Sequence, residues 1–188
     1  MLRCLLSHYT GQPARAVQYT RNEWGKPGLA DSSLQFNISH TGSWIAFAFT
    51  HHHPLGVDIE QWHAIPEAGD IARNYFAERE RTALQSVPDD RRQEAFFNLW
   101  TRKEACLKAL GAGLNLPLDR FEFTVDPCLP ARLVAVNGQA EEAAKWSLFQ
   151  FAPEPDISGC LAIPVKPVKA RGWRLDRDLL VCAKTVTI

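Results

Sequence analysis

The residues with the clearest chemical potential are Asp58 and Glu60, in the stretch Gly56-Val57-Asp58-Ile59-Glu60. In an extended strand, residues two apart share a face. Asp58 and Glu60 therefore project together, about 7 Å apart at a rise of ~3.3 Å per residue. Val57 and Ile59 point to the opposite face, which their character predicts to be buried. Like charges that close repel, unless a cation, a shared proton or water relieves them. A hard divalent cation takes carboxylate oxygens. On the pair alone, an acidic, solvent-facing edge strand is the simpler reading, and the rest of the chain must decide.

Glu104 is the second anchor. In a helix it shares a stripe with Phe97, Trp100 and Leu107, at spacings of three and four. A carboxylate inside an apolar stripe needs a partner, because burying it alone is costly. Lys108, at i+4, is one; an ordinary helical ion pair is the plain alternative. Lys26 and His40 stand in turn-rich segments, where backbone amides with a Lys or His nearby suit phosphate groups. Taken alone, each is more simply an ordinary surface residue. His51-His52-His53 reads as a solvated loop, since consecutive histidines cannot converge on one point.

These residues need elements to position them. Leu2, Leu5, Leu6 and Tyr9 follow helical spacing, with a stop at Gly11. Strands are expected at 17–20, 36–40, 44–49 and 55–60, with Trp24 to Gly28 as turn material. Residues 44–50 and 55–60 are expected to pair as an antiparallel hairpin. Helices follow from Pro66 to Tyr75 and from Glu78 to Ser86. A long helix runs from Arg91 to Leu110, apolar round most of its circumference and hence buried on several sides. Strands are expected again at 121–125, 132–136, 145–151 and 160–165, with Asn137-Gly138 as a turn between two of them. The tail after residue 165 yields no assignment.

Composition sets bounds. The 188 residues are 46% hydrophobic, enough for a real core, and the formal net charge is zero. Bulk electrostatics thus points to neither nucleic acid nor membrane. No apolar run approaches the ~20 residues of a membrane span, and no signal peptide is visible. Five scattered cysteines without a C-x-x-C suggest reduced thiols in a cytoplasmic protein. There is no G-x-S-x-G, Walker loop, G-x-G-x-x-G or zinc-ligand spacing, so the common hydrolase, ATPase and Rossmann readings fall away.

Four motifs occur in order: Gly25-Lys26-Pro27, Phe36-Asn37-Ile38-Ser39-His40-Thr41, Gly56-Val57-Asp58-Ile59-Glu60 and Trp100-Thr101-Arg102-Lys103-Glu104-Ala105-x-x-Lys108. Together they resemble the 4'-phosphopantetheinyl transferases of the surfactin-synthetase-activating type. Phe76, Glu80 and Gly113-Leu114-x-Leu116-Pro117-Leu118 match the same pattern.

The resemblance implies an α+β fold, a pseudo-dimer of two similar halves with coenzyme A in the cleft between them. The halves would be residues 1–62, incomplete here, and 63–165, with 166–188 as a tail. It implies that Asp58, Glu60 and Glu104 hold one Mg²⁺. It places Lys26 and Pro27 near the adenine and Ser39 and His40 near the 3'-phosphate. Lys103 and Lys108 would neutralise the departing 3',5'-ADP. The implied reaction moves the 4'-phosphopantetheine arm from coenzyme A to a serine of an acyl or peptidyl carrier protein, with Glu104 as base. A monomer is expected, with an acidic carrier docking near Arg73, Arg79 and Arg81. Family members usually carry a further segment before the position of Met1. A truncated remnant that only binds coenzyme A or a carrier is therefore the alternative expectation.

Overall fold

A computed structural model describes residues 1–113, 116–174 and 184–187, the last four in backbone only. The α+β class expected from the sequence is the one observed. The chain opens with α1 (Leu2–Thr10), stopped by Gly11 at φ 72°, whose N–H bonds the Ser7 carbonyl. Positive φ is where glycine is favoured over other residues. Strands β1 (Tyr19–Arg21) and β2 (Pro27–Leu29) pair antiparallel. So do β3 (Leu34–Thr41) and β4 (Trp44–His51), in register from Leu34↔His51 to Thr41↔Trp44.

The expected hairpin of residues 44–50 with 55–60 does not form. The tight turn at Gly42 (φ 51°) returns the chain immediately, so β4 pairs with β3. His52, at φ 68°, then leads the chain away from β4. Strand β5 (Gly56–Gln61) is free to find a distant partner.

Three helices follow: α2 (Ala68–Tyr75), α3 (Glu78–Ser86) and α4 (Asp89–Leu110). They lie close to the ranges that the periodicity predicts. Next come β6 (Phe121–Phe123), β7 (Leu133–Val136) and a short helix, α5 (Ala140–Ala143). The turn at Asn137-Gly138 thus feeds a helical turn before β8 (Ser147–Phe151) and β9 (Ile157–Ile163). In the tail, β10 (Arg171–Arg174) pairs with β11 (Lys184–Thr187).

The distant partner of β5 is β9. They pair antiparallel from Gly56↔Ala162 to Gln61↔Ile157, and β8 completes the sheet in the order β5-β9-β8. Residues 1–62 and 63–165 therefore share one sheet. Helix α4 lies across β5 and β9. Its buried residues, Phe96, Phe97, Leu99, Ala105, Cys106 and Ala109 among them, join Phe76, Phe121, Phe123 and Trp146 in the main core. Smaller cores form under α1 (Leu6, Val17, Leu34, Phe36) and beside β4 (Ala48, Leu55, Val57, Ile163).

Gly56 sets how closely α4 approaches β5. A Cβ there would lie 2.1 Å from the Ala105 carbonyl oxygen and 2.3 Å from the Ala109 nitrogen. Only a residue without a side chain permits that contact. No helix among the described residues is long and apolar enough to cross a membrane.

Candidate active site

The close approach at Gly56 brings two faces together. Strand β5 supplies Asp58 and Glu60, and α4 supplies Glu104 and Lys108. With Ser39 and His40 from β3, they line one cavity of about 450 Å³. Tyr75 and Trp100 line it too, their rings packed edge to face at 5.9 Å between centroids. Residues 46 positions apart in sequence, Asp58 and Glu104, so face the same space.

Asp58 is 2% exposed. Its Oδ1 accepts hydrogen bonds from Ser39 Oγ (2.8 Å) and Lys108 Nζ (2.6 Å). Lys108 also donates to Ser39 Oγ at 2.9 Å. Asp58 Oδ2 is buried with no hydrogen-bond partner among the described residues. A buried carboxylate oxygen left unpaired is costly, and it marks a place where a cation would be stabilised.

The other two carboxylates show the same strain. Burial pushes the Glu104 carboxyl up to about 7, helped by Asp58 and Glu60 and opposed by Lys108. Burial also raises Glu60, with Asp58 adding to it, while the Thr41 hydroxyl and Lys108 pull it down. Three acidic groups are thus held near one another, with Lys108 the lysine that offsets them among the described residues. Among the described residues, no three His, Cys, Asp or Glu side chains stand at metal-ligand spacing. The acids converge on one cavity without closing a cage.

Strand β5 is held on its outer side by a row of side chains. Asn37 Oδ1 accepts the Val57 N–H at 2.8 Å, Ser39 Oγ the Ile59 N–H at 3.4 Å and Thr41 Oγ1 the Gln61 N–H at 3.0 Å. The N–H groups of 56, 58 and 60 serve the β9 side. Alternate residues of β3 thereby replace a main-chain ladder. This role is missed by motif reading, although the spacing 37, 39, 41 shows it.

Three predicted site residues are placed elsewhere. The Lys26 ammonium donates to the carbonyls of Leu55 (2.9 Å) and Ala109 (3.0 Å). It therefore secures the C-terminal end of α4, where positive charge is favoured. Burial lowers its pKa to about 8. Pro27 lies in β2 opposite Arg21. Neither lines the cavity.

Lys103, expected as a coenzyme contact, is a core residue with 0% exposure. It pairs with Glu80 at 2.7 Å and donates to the carbonyls of Leu118 (2.9 Å) and Phe121 (2.6 Å). Helical geometry explains the correction. Lys103 lies about 100° round α4 from Glu104, so it faces β6 while its neighbour faces the cavity. The matched segment from Gly113 to Leu118 includes Leu114, which is outside the described residues.

Comparison with known proteins bears on the same segments. The model of the 4'-phosphopantetheinyl transferase superfamily matches residues 54–158, from just before β5 into β9. The chain belongs to that superfamily. Among its relatives, the 4'-phosphopantetheinyl transferase HetI of Nostoc is 32% identical over 167 residues, covering 87% of this chain and 67% of HetI. The transferase gsp of Aneurinibacillus migulanus is 36% identical over 121 residues, covering 64% and 49% of the two chains. Sfp of Bacillus subtilis is 34% identical over 122 residues, covering 64% and 53%. The chain thus spans about half the length of gsp and Sfp. The match includes β5 and α4, the two elements that carry the acids.

Proposed function

We propose that this chain transfers the 4'-phosphopantetheine arm of coenzyme A to a serine of an acyl or peptidyl carrier protein, with Mg²⁺, and releases 3',5'-ADP. The observation that carries the reading is the convergence of Asp58, Glu60, Glu104 and Lys108 on one cavity, with Asp58 Oδ2 buried and unpaired. The names and family of the relatives supply the chemistry that such a cavity would serve.

The donor set suits Mg²⁺, which prefers oxygen ligands and keeps a share of water and phosphate oxygens. Asp58, Glu60 and Glu104 would hold it. When bound, it would offset charge on the coenzyme pyrophosphate.

The residues of the chain carry the remaining roles. The serine hydroxyl attacks the phosphorus that bears the pantetheine arm. A new P–O bond forms to the serine, and the bond from that phosphorus to the 3',5'-ADP oxygen breaks. Glu104 accepts the serine proton, directly or through water. Its carboxyl, held near 7, suits proton transfer at neutral pH. Lys108 stands where negative charge grows on the leaving phosphate, and Ser39 and His40 border the same cavity. Tyr75 and Trp100 give it an apolar wall.

The carrier would dock beside α2 and α3. A groove of about 670 Å³ there has an apolar floor of Ile65, Ala72, Leu84 and Phe96, with Arg73, Arg81 and Arg92 among its lining residues. Exposed Arg79 lies on α3 nearby. That combination fits an acidic helical partner.

The test is Mg²⁺-dependent transfer of labelled pantetheine from coenzyme A to an apo carrier protein. Label on the carrier serine is expected. Coenzyme A binding without transfer, across fatty-acid and peptide-synthesis carriers, would overturn the enzyme reading and leave a binding remnant.

A further inference from the structure

The row Asn37, Ser39, Thr41 does more than close a strand edge. Strand β3 pairs with β4 and β5 pairs with β9, so the amides of β5 that point towards β3 are met by β3 side chains. Each member of the row accepts one β5 amide. They differ in what else they hold. Asn37 serves the backbone. Ser39 is bound into the Asp58–Lys108 pair. Thr41 reaches Glu60.

The Thr41 hydroxyl accepts the Gln61 N–H at 3.0 Å and donates its own proton to Glu60 Oε2 at 3.2 Å. One oxygen therefore fixes the backbone just after Glu60 and the carboxylate itself. No lysine or arginine pairs with Glu60 among the described residues within salt-bridge distance; Lys108, whose charge reaches it, is bound to Asp58. Thr41 also enters the tight turn whose next residue, Gly42, has φ 51° and lies under the Gln61 side chain.

We propose that Thr41 is a positioning residue that acts through Glu60, aiming its carboxylate into the acid cavity. The inference rests on the reading of Glu60 as a metal ligand. A hydroxyl that orients a ligating carboxylate typically matters by 10–100-fold in metal affinity. Threonine suits the role because its branched Cβ restricts χ1. Serine keeps the hydroxyl, whereas valine keeps the shape and loses it.

The experiment compares the whole chain with Thr41→Val and Thr41→Ser. Mn²⁺ binding is followed by electron paramagnetic resonance without coenzyme A, alongside amide exchange of Val57, Ile59 and Gln61. Thr41→Val should weaken Mn²⁺ binding by about tenfold and speed exchange at Gln61, with Val57 and Ile59 still protected. Thr41→Ser should restore both. Unchanged Mn²⁺ affinity in Thr41→Val overturns the proposal, as does loss of protection along all of β5, which would make Thr41 merely structural. Failure of the unmodified chain to bind Mn²⁺ defeats the metal reading itself, and this inference with it.

Discussion

Lys108 Nζ sits 2.6 Å from Asp58 Oδ1, while Asp58 Oδ2, on the same carboxylate, is buried and unpaired. One oxygen is neutralised by the helix, the other has no hydrogen-bond partner among the described residues, and Glu60 and Glu104 line the same cavity. From sequence alone, removing a carboxylate from this group is expected to relieve repulsion. The ion pair changes that expectation, because Asp58 is also the counter-charge of Lys108. Asp58→Ala should lower Mg²⁺-dependent transfer by about a thousandfold, the scale of losing charge stabilisation at a reacting centre. Far-ultraviolet circular dichroism should be unchanged, since β5 keeps its backbone bonds to β9. Full transfer activity in this variant would remove Asp58 from the site.

Gly56→Ala probes how the two faces of the site are brought together. The added methyl would meet backbone atoms of α4 at Ala105 and Ala109, so no side-chain rotation can relieve the clash. The helix must move off β5, and Glu104 and Lys108 move with it. Overpacking of a core typically costs about 1–3 kcal/mol, and transfer should fall further than stability does. Urea midpoints and kcat measured together check this. A variant with unchanged midpoint and kcat would show that the helix spacing is not set here.

How far this was legible in the sequence follows from the physics of each contact. Local patterns were readable. The 3.6-residue period gave α4 and α3, and the alternation at 56–60 gave a strand with both acids on one face. The stop at Gly11 was equally plain. Pairing was not readable, because β5 finds β9 across a hundred residues and the sequence carries no local mark of that choice. The same limit explains Lys26 and Lys103. Each looks like a free cation in a motif, and only the packing shows carbonyls and Glu80 already holding them.

The Lys103–Glu80 pair should therefore behave as part of the core. Both side chains are essentially unexposed. Burial raises the Glu80 carboxyl and lowers the Lys103 amine, and each partner pulls the other back towards its charged form. Glu80 also accepts the N–H groups of Ala77 and Phe123, both at 2.8 Å. Lys103→Met leaves that carboxylate buried without its ion-pair partner and should cost about 3–5 kcal/mol. Lys103→Met combined with Glu80→Gln should recover part of the loss, because glutamine retains an acceptor and carries no charge. The KM for coenzyme A in the folded fraction should not change. A stable Lys103→Met with a raised coenzyme KM would return Lys103 to the binding site.

Glu104 gives the metal-free protein a pH dependence of definite sign. Its folded pKa, about 7, lies above the ordinary value of 4.5, chiefly because of burial and then because of Asp58. The folded state thus binds the proton more tightly than the unfolded chain does. The resulting stabilisation is fully present below 4.5 and is lost as pH rises through about 7. Glu104→Gln removes that term. Without divalent cation, the variant should match the unmodified chain in melting temperature below about 4.5 and exceed it by a margin that grows as pH rises to about 7 and then levels off. Added Mg²⁺ should reverse the order above neutrality, raising the melting temperature of the unmodified chain more than that of the variant. Thermal melts across pH, with and without Mg²⁺, measure both effects. Parallel profiles for the two proteins would mean that Glu104 is neither strained by burial nor engaged by the ion.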